Sequence, residues 1–355
     1  MRHFRKRRQA SRRLKSSTRW HPLARVWVSS FFRSADMRDV LLPKGWEMAL
    51  TDFFGDRGLR VCAISQLRQG SFGTLYRLAV ENEHGKMDRY VMKHLGEHHD
   101  LERVIAPLTA RELSPYAVPI VGVICSDRGY ATLAPDRGPP VREKRPLSVD
   151  ALTRIVDHLV MMHVTLSDHA RMWHRQGILP ALTIADTRAW METGHQACRA
   201  ALAKESVDWE EEAARIAWFC EQRESLLAGR CTMTHGDAHL GNLFDQGDRL
   251  EWIDWAFAAY APPQRDLAVL VQELEDETLH VALRERMVTG YVRAGWEMDH
   301  QAFARAYAAA FFENTWMMIG FDLQTRLDET TEAQRKARAL QKLSWIARAW
   351  AEMSR

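Results

Sequence analysis

The 355-residue chain has no apolar run approaching the roughly 18 to 20 residues of a membrane-spanning helix, no Cys-x-x-Cys pair, and no acidic residue before Asp36. The first absence argues against a helical membrane protein, and a cytoplasmic location is expected. The second removes the commonest thiolate zinc and redox motifs. The five cysteines, Cys62, Cys125, Cys198, Cys220 and Cys231, are odd in number and widely spaced, and are expected as reduced, mostly buried thiols. The third sets the first 35 residues apart: they hold eleven Lys or Arg, while the rest of the chain carries 38 basic and 46 acidic side chains. Such an Arg-rich, Ser-containing terminus fits a nucleic-acid arm, a membrane-surface contact or a transit peptide, but lacks the apolar core of a secretory signal. No base-reading motif accompanies it. Residues 1–40 are therefore read as a basic, disordered extension without a catalytic role, and no specific nucleic-acid partner is expected.

What is present is an ordinary globular mixture, 46% hydrophobic and 27% charged, long enough for two lobes with separate cores. From about residue 46 to 133, short runs such as "LRVCAISQL", "TLYRLAV", "RYVMKHL", "VPIVGVIC" and "GYATLAP" have strand length and turn-forming boundaries. Between the third and fourth, "DLERVIAPLTAREL" has helical spacing, with Asp100 as a candidate N-cap. "APDRGPPVREKRP", residues 134–146, reads as a hinge. Six long helical patterns follow, one of them running unbroken through "RDLAVLVQELEDETLHVALRERMVTGYVRAG". The expected organisation is an N-terminal lobe over 41–136 and a helical lobe over 137–355.

The helical half is interrupted by "MTHGDAHLGNLF" at 233–244 and "WIDWA" shortly after. Asp237 and Asn242 are five apart, and Asp254 ends the next short strand. If the chain on either side of the 245–248 turn pairs as a hairpin, Asn242 and Asp254 meet at one end of it. Two oxygen ligands beside a free carboxylate make a hard-cation site of the kind Mg²⁺ prefers, leaving Asp237 as a base. His235 and His239 have zinc-like i, i+4 spacing, but Gly236 occupies the place of the glutamate in His-Glu-x-x-His, and a role in shaping the loop is the better reading.

"HGDAHLGN" followed by "IDW" resembles the signature of the aminoglycoside phosphotransferase and choline kinase group. The resemblance implies an α+β, protein-kinase-like two-lobe fold: a small N-terminal antiparallel β-sheet lobe with one helix, and a larger, mainly helical C-terminal lobe. It also implies transfer of the terminal phosphate of ATP, with GTP as the alternative, to a hydroxyl. Asp237 would orient or deprotonate that hydroxyl, while Asn242 and Asp254 would hold Mg²⁺. Upstream, Gly70, Ser71 and Gly73 form a turn whose backbone can approach phosphates. Lys93 resembles the phosphate-binding strand lysine, paired with Glu102 or, failing that, Glu112. Asp136 takes the acidic place in the interlobe hinge, where residues 134–136 would border the adenine. Pro135 lacks the N–H that would donate to a base, and this keeps GTP open. Asp266 resembles the family's aspartate opening the next helix; His163 is read as structural.

Only twelve residues separate Asp254 from Asp266, too few for a peptide-holding activation segment, so a small hydroxyl-bearing acceptor is expected. Residues 151–355 carry 30 acidic and 22 basic side chains, which would favour a cationic acceptor, although solvated helix faces account for most such charges. Trp252, Trp255, Phe257 and Trp316 could line a site for a quaternary ammonium, and core packing is the plainer account of each. A catalytically silent nucleotide-binding scaffold is the alternative function.

Overall fold

A computed structural model of the chain describes residues 42, 45–70, 73–95, 100–126, 129–144, 146–274, 276–324 and 331–355. The basic extension and Ser71 lie outside them. Strands β1 (Leu59–Gly70), β2 (Gly73–Asn82), β3 (Met87–Leu95), β4 (Gly122–Ser126) and β5 (Gly129–Pro135) form an antiparallel sheet in the order β1-β2-β3-β5-β4. Along β2, Tyr76, Leu78 and Val80 are buried at every second position, the period of a strand with one covered face. Helix α1 (Trp46–Gly55) supplies the cover: Trp46, Leu50 and Phe54 recur at helical spacing and pack with Met92, Ile124 and Leu133. This helix adds to the single one expected in the lobe; its ten residues are too few for the helical period to stand out among strand-length runs.

Helix α2 (Asp100–Thr109) begins at the residue read as its N-cap. Its end is tied down by Thr109, whose Oγ1 donates to Ala106 O at 2.7 Å and accepts from Ile120 N at 2.8 Å. The segment beyond it then joins the second half of the molecule. Val118 N donates to Trp252 O at 2.9 Å, and Trp252 N donates to Tyr116 O at 2.7 Å. Across the hinge, the Arg137 guanidinium pairs with the fully buried Glu251 carboxylate, Nη2 donating to Oε1 at 3.1 Å.

The larger core belongs to α3 (Val149–Arg175), α4 (Ile184–Ala201), α5 (Trp209–Leu226), α6 (Gln264–Val271), α7 (Thr278–Arg293), α8 (His300–Gln324) and α9 (Glu332–Met353). Ser148, Thr183, Asp208 and Thr331 cap α3, α4, α5 and α9, each accepting a backbone N–H from the first turn. Between α5 and α6 lie two short ladders, β6 (Thr232–Thr234) with β9 (Ala259–Ala261), and the hairpin β7 (Leu243–Asp245) with β8 (Leu250–Trp252). The pattern read as one unbroken helix from 265 is divided into α6 and α7. Asp276 explains the restart: its Oδ1 accepts from Thr278 N at 2.9 Å, satisfying an N–H at the start of α7.

All five cysteines are unpaired; Cys198 and Cys220 are buried, Cys231 is half-buried, and Cys62 and Cys125 are exposed on the edge strands β1 and β4. Among the described residues no helix is long and apolar enough to cross a membrane.

Candidate active site

Lys93 stands on β3 opposite Leu75 and Thr132, and its long side chain is buried where the apolar strand pattern would place another aliphatic group. Its Nζ donates at 2.8 Å to Glu102 Oε2 from α2 and at 2.8 Å to Asp254 Oδ1 from the turn after β8. Burial alone would lower the ammonium pKa, but the two carboxylates outweigh it and hold the group above its ordinary value. Glu102 is pushed upward as well, by its own burial and by the nearby Asp254 carboxylate, against the pull of Lys93. An unpaired charge here would be costly, so the triad fixes β3, α2 and the 254 turn relative to one another.

Asp254 is the sole non-glycine residue at positive φ among the described residues, at φ 68° and ψ 67°. A left-handed residue turns the chain sharply between β8 and the short 3₁₀ turn at 255–257, with the carboxylate facing inward. On the facing strand, Ile253 N donates to Asn242 O at 2.9 Å. The expected convergence of 242 and 254 at one end of the β7–β8 hairpin is thereby produced by backbone pairing.

The loop leaving β6 carries Asp237. Gly236 has φ 81°, and a Cβ there would lie 2.0 Å from Phe257 O and 2.5 Å from an Arg265 guanidinium nitrogen, so only glycine fits. Asp266, in the first turn of α6, holds the loop. Its carboxylate accepts the backbone N–H groups of His235 and Gly236, each at 2.8 Å, and faces His163 Nε2 at 2.9 Å. His163 Nδ1 lies 2.6 Å from the Tyr291 hydroxyl. Despite burial, Asp266 stays below the usual carboxylate range because these donors favour its charged form. Burial holds the His235 pKa below its ordinary value; its Nε2 faces Ile253 O at 2.8 Å while Nδ1 accepts from Asp237 N at 3.2 Å.

Asn242 Nδ2 donates to both the backbone oxygen and Oδ2 of Asp237, each at 3.0 Å, and His239 Nε2 lies 3.5 Å from the same Oδ2. Burial and the nearby Asp254 carboxylate raise the Asp237 pKa to about 6, against the opposing effects of His235, Asn242 and Arg265. The carboxylate is thus basic enough to accept a proton and still largely ionised near neutrality.

Two buried oxygens at this centre have no hydrogen-bond partner, Asn242 Oδ1 and Asp254 Oδ2. Buried acceptors are rarely left unmatched, and hard oxygen donors on adjacent turns suit a divalent cation that keeps water or phosphate oxygens in its remaining positions. The residues present therefore fit Mg²⁺.

The glycine turn ends β1 and starts β2, with Gly70 and Gly73 facing each other across the ladder. A Cβ on Gly73, at φ 152°, would lie 1.9 Å from His94 O, next to Lys93. At the hinge, Asp136 N donates to Arg89 O at 3.0 Å, and the carboxylate takes Arg77 Nε at 2.6 Å and Gly138 N at 2.9 Å. Its visible work is to fix the strand-to-hinge turn. Trp252, Trp255 and Trp316 are fully buried, the first two packed on the His235 ring at 5.2 and 4.6 Å. The sequence reading passed over Arg77 and Arg265. Arg265 Nη1 donates to Phe257 O at 3.0 Å, and its one sequence signal is its place beside Asp266.

A family model described as "Phosphotransferase enzyme family" matches residues 74–310. By sequence, no curated protein matches the chain. Among solved structures, a spectinomycin phosphotransferase in complex with ADP and spectinomycin superposes with a TM-score of 0.54 at 15% identity, over 87% of this chain and 97% of that one. The choline kinase of Cryptosporidium parvum Iowa II superposes at 0.53 and 14% identity, over 86% and 93%. An amicoumacin kinase in complex with AMP-PNP, Ca²⁺ and Ami gives 0.56 at 13%, over 87% and 93%. These likenesses show the kinase-like fold.

Proposed function

The chain belongs to the phosphotransferase enzyme family, and we propose that it moves the terminal phosphate of ATP, or of GTP, to a hydroxyl of a small molecule such as an aminoglycoside, an amino alcohol or a related metabolite. The observation that carries this reading is the gathering of Lys93, Asn242, Asp254 and Asp237 around two unmatched buried oxygens. Phosphoryl transfer asks little covalent chemistry of a protein; it asks for fixed positions and matched charge.

Lys93, held by Glu102, presents an ammonium to the nucleotide phosphates beneath the Gly70–Gly73 turn. Asn242 Oδ1 and Asp254 Oδ2 would hold Mg²⁺, which when bound supplies charge neutralisation on the phosphate oxygens. Asp237, oriented by Asn242 and His239, accepts the proton of the acceptor hydroxyl at a carboxylate oxygen. Asp266 keeps the loop from moving while this occurs, because two of its bonds are to loop backbone.

The deciding experiment is phosphate transfer by the purified full chain with Mg²⁺ and either ATP or GTP, against pooled aminoglycosides, amino alcohols, hydroxy amino acids and sugars. Acceptor-dependent turnover that vanishes in Asp237→Asn is expected. Tight nucleotide binding with no turnover in any pool would favour the silent scaffold instead.

A further inference from the structure

A second site lies next to the loop of Asp237, and of its residues only Arg265, whose charge opposes the rise of the Asp237 pKa, bears on the chemistry above. It is a cavity walled by Trp190 of α4, Arg223 of α5, Arg265 of α6 and Glu313 and Asn314 of α8, floored by Ala261 and Pro262. It leaves about 390 Å³ of empty space, open in part to solvent.

Its charge differs from that of the surrounding lobe. Two guanidiniums line it against one carboxylate, and that carboxylate is already engaged. Glu313 Oε1 accepts from Thr187 Oγ1 at 2.8 Å, and both its oxygens accept from the Arg223 guanidinium at 3.2 Å. Meanwhile two of the lining residues each carry a buried donor without a partner. Arg265 is 8% exposed with Nη2 unmatched, and Asn314 is 3% exposed with Nδ2 unmatched. A buried donor without an acceptor is destabilising, and two in one cavity beside a positive excess define a place for an anionic acceptor of hydrogen bonds. A quaternary ammonium entering here would meet two guanidiniums, with the one lining carboxylate already bonded to Arg223 and Thr187.

The cavity is also correctly placed. Arg265 donates through Nη1 to Phe257 O and lies against Gly236, the residue before Asp237. A group bound to Arg265 therefore sits beside the catalytic loop.

We propose that this cavity receives a carboxylate of the phosphate acceptor, with Arg265 Nη2 and Asn314 Nδ2 as its donors, so that the substrate is a small hydroxylated acid or hydroxy amino acid. The inference rests on the phosphotransferase reading of the neighbouring loop. The excess of acidic side chains in the helical lobe does not extend into the cavity.

The test pairs hydroxylated acids (glycerate, serine, homoserine, gluconate) with their amides and with ethanolamine and choline. Each is assayed for transfer with wild type, Asp237→Asn, Asn314→Leu and Asn314→Asp, and for its effect on the melting temperature of the same full-length proteins. The expected result is a kcat/KM for the acids roughly tenfold to a hundredfold above that for the amides. Asn314→Leu should remove that preference through KM, with kcat kept within about twofold, and Asn314→Asp should invert it in favour of amides and amines. Equal or better transfer to amides or amino alcohols, still abolished in Asp237→Asn, overturns the inference and leaves the phosphotransferase reading standing. No transfer to any compound, with acids still raising the melting temperature of wild type and not of Asn314→Leu, supports the carboxylate site and removes the kinase reading. Absence of both transfer and any acid-dependent shift overturns the inference.

Discussion

The loop proposed as catalytic and the cavity beside it are built in opposite ways. Thr232 to Asp254 holds its chemistry within a single run of chain, and every functional group there is placed by a neighbouring backbone: Asn242 by the hairpin, Asp254 by a left-handed turn, Asp237 by the Gly236 bend. The cavity draws Trp190, Arg223, Arg265 and Glu313 from four helices, each set by packing between elements far apart in sequence. Chemistry that must be precise is encoded locally; selectivity, which depends on the shape between helices, is encoded at long range.

The largest effect should come from the local side of that contrast. Asp237→Asn keeps the shape of the side chain and removes the base, so kcat should fall by about 10³, within the range for loss of a general base. Steady-state assays beside a melting curve check it: the melting temperature should barely move, because the bonds that hold the loop belong to Asp266. A comparable fall in stability would mean that the loop is held by its catalytic residue.

Next comes the bend itself. Gly236→Ala forces a Cβ into Phe257 O and Arg265 at a positive φ, and should cost about 3 kcal/mol of stability in a denaturant titration. Because the same atom collides with Arg265, this variant should disturb catalysis and acceptor binding together. It is the one substitution that crosses from one region to the other.

The same contrast explains what could be read in advance. The order glycine turn, lysine, helix glutamate, hinge, loop and the Asp254 turn was legible because each step is a short motif with a backbone cause. The pairing of Lys93 with Glu102 could be anticipated from resemblance, but the bond from Lys93 to Asp254, which completes the buried triad, and the 2.8 Å geometry required the fold. Helix α1 was hidden by its shortness and the α6–α7 break by a continuous helical pattern. The cavity was not legible at all, since nothing in "FFENTW" shows that Asn314 has an unmatched donor. The acidic stretch "QELEDETLH" shows the reverse error. Glu273 accepts from Leu240 N at 2.8 Å and pairs with Arg142, Asp276 starts α7, and Glu277 is bonded to α9, so these three acids hold the lobe together.

Glu313→Gln probes the distant side. Removing its charge leaves Arg223 without its ionic partner in a mostly buried place, and should cost about 2 kcal/mol in thermal or denaturant melting. Two guanidiniums would then face the cavity unopposed, so a carboxylate such as glycerate should bind severalfold more tightly by calorimetry. Weaker binding would show that Glu313 orients Arg223 for the ligand rather than neutralising it.

The smallest effect should lie farthest from both regions, at Glu277. Its carboxylate accepts from Trp345 Nε1 at 2.6 Å and from Arg348 Nη2 at 2.8 Å, tying the start of α7 to α9. Hydrogen bonds from Arg348 and then Trp345 lower its pKa from 4.5 to about 2. A depressed carboxylate contributes stability that is complete above its unfolded pKa and is lost as pH falls through the folded value. Wild type should therefore exceed Glu277→Gln in melting temperature by a constant margin above about pH 5, and the margin should shrink between pH 4.5 and 2. The side chain is 37% exposed and screened by salt, so the margin should correspond to only about 0.5 kcal/mol. Turnover should be unchanged, since this pair belongs to neither the loop nor the cavity. A loss of kcat in Glu277→Gln would mean that the packing of α9 reaches the site through α8, and the separation between local chemistry and long-range shape would have to be redrawn.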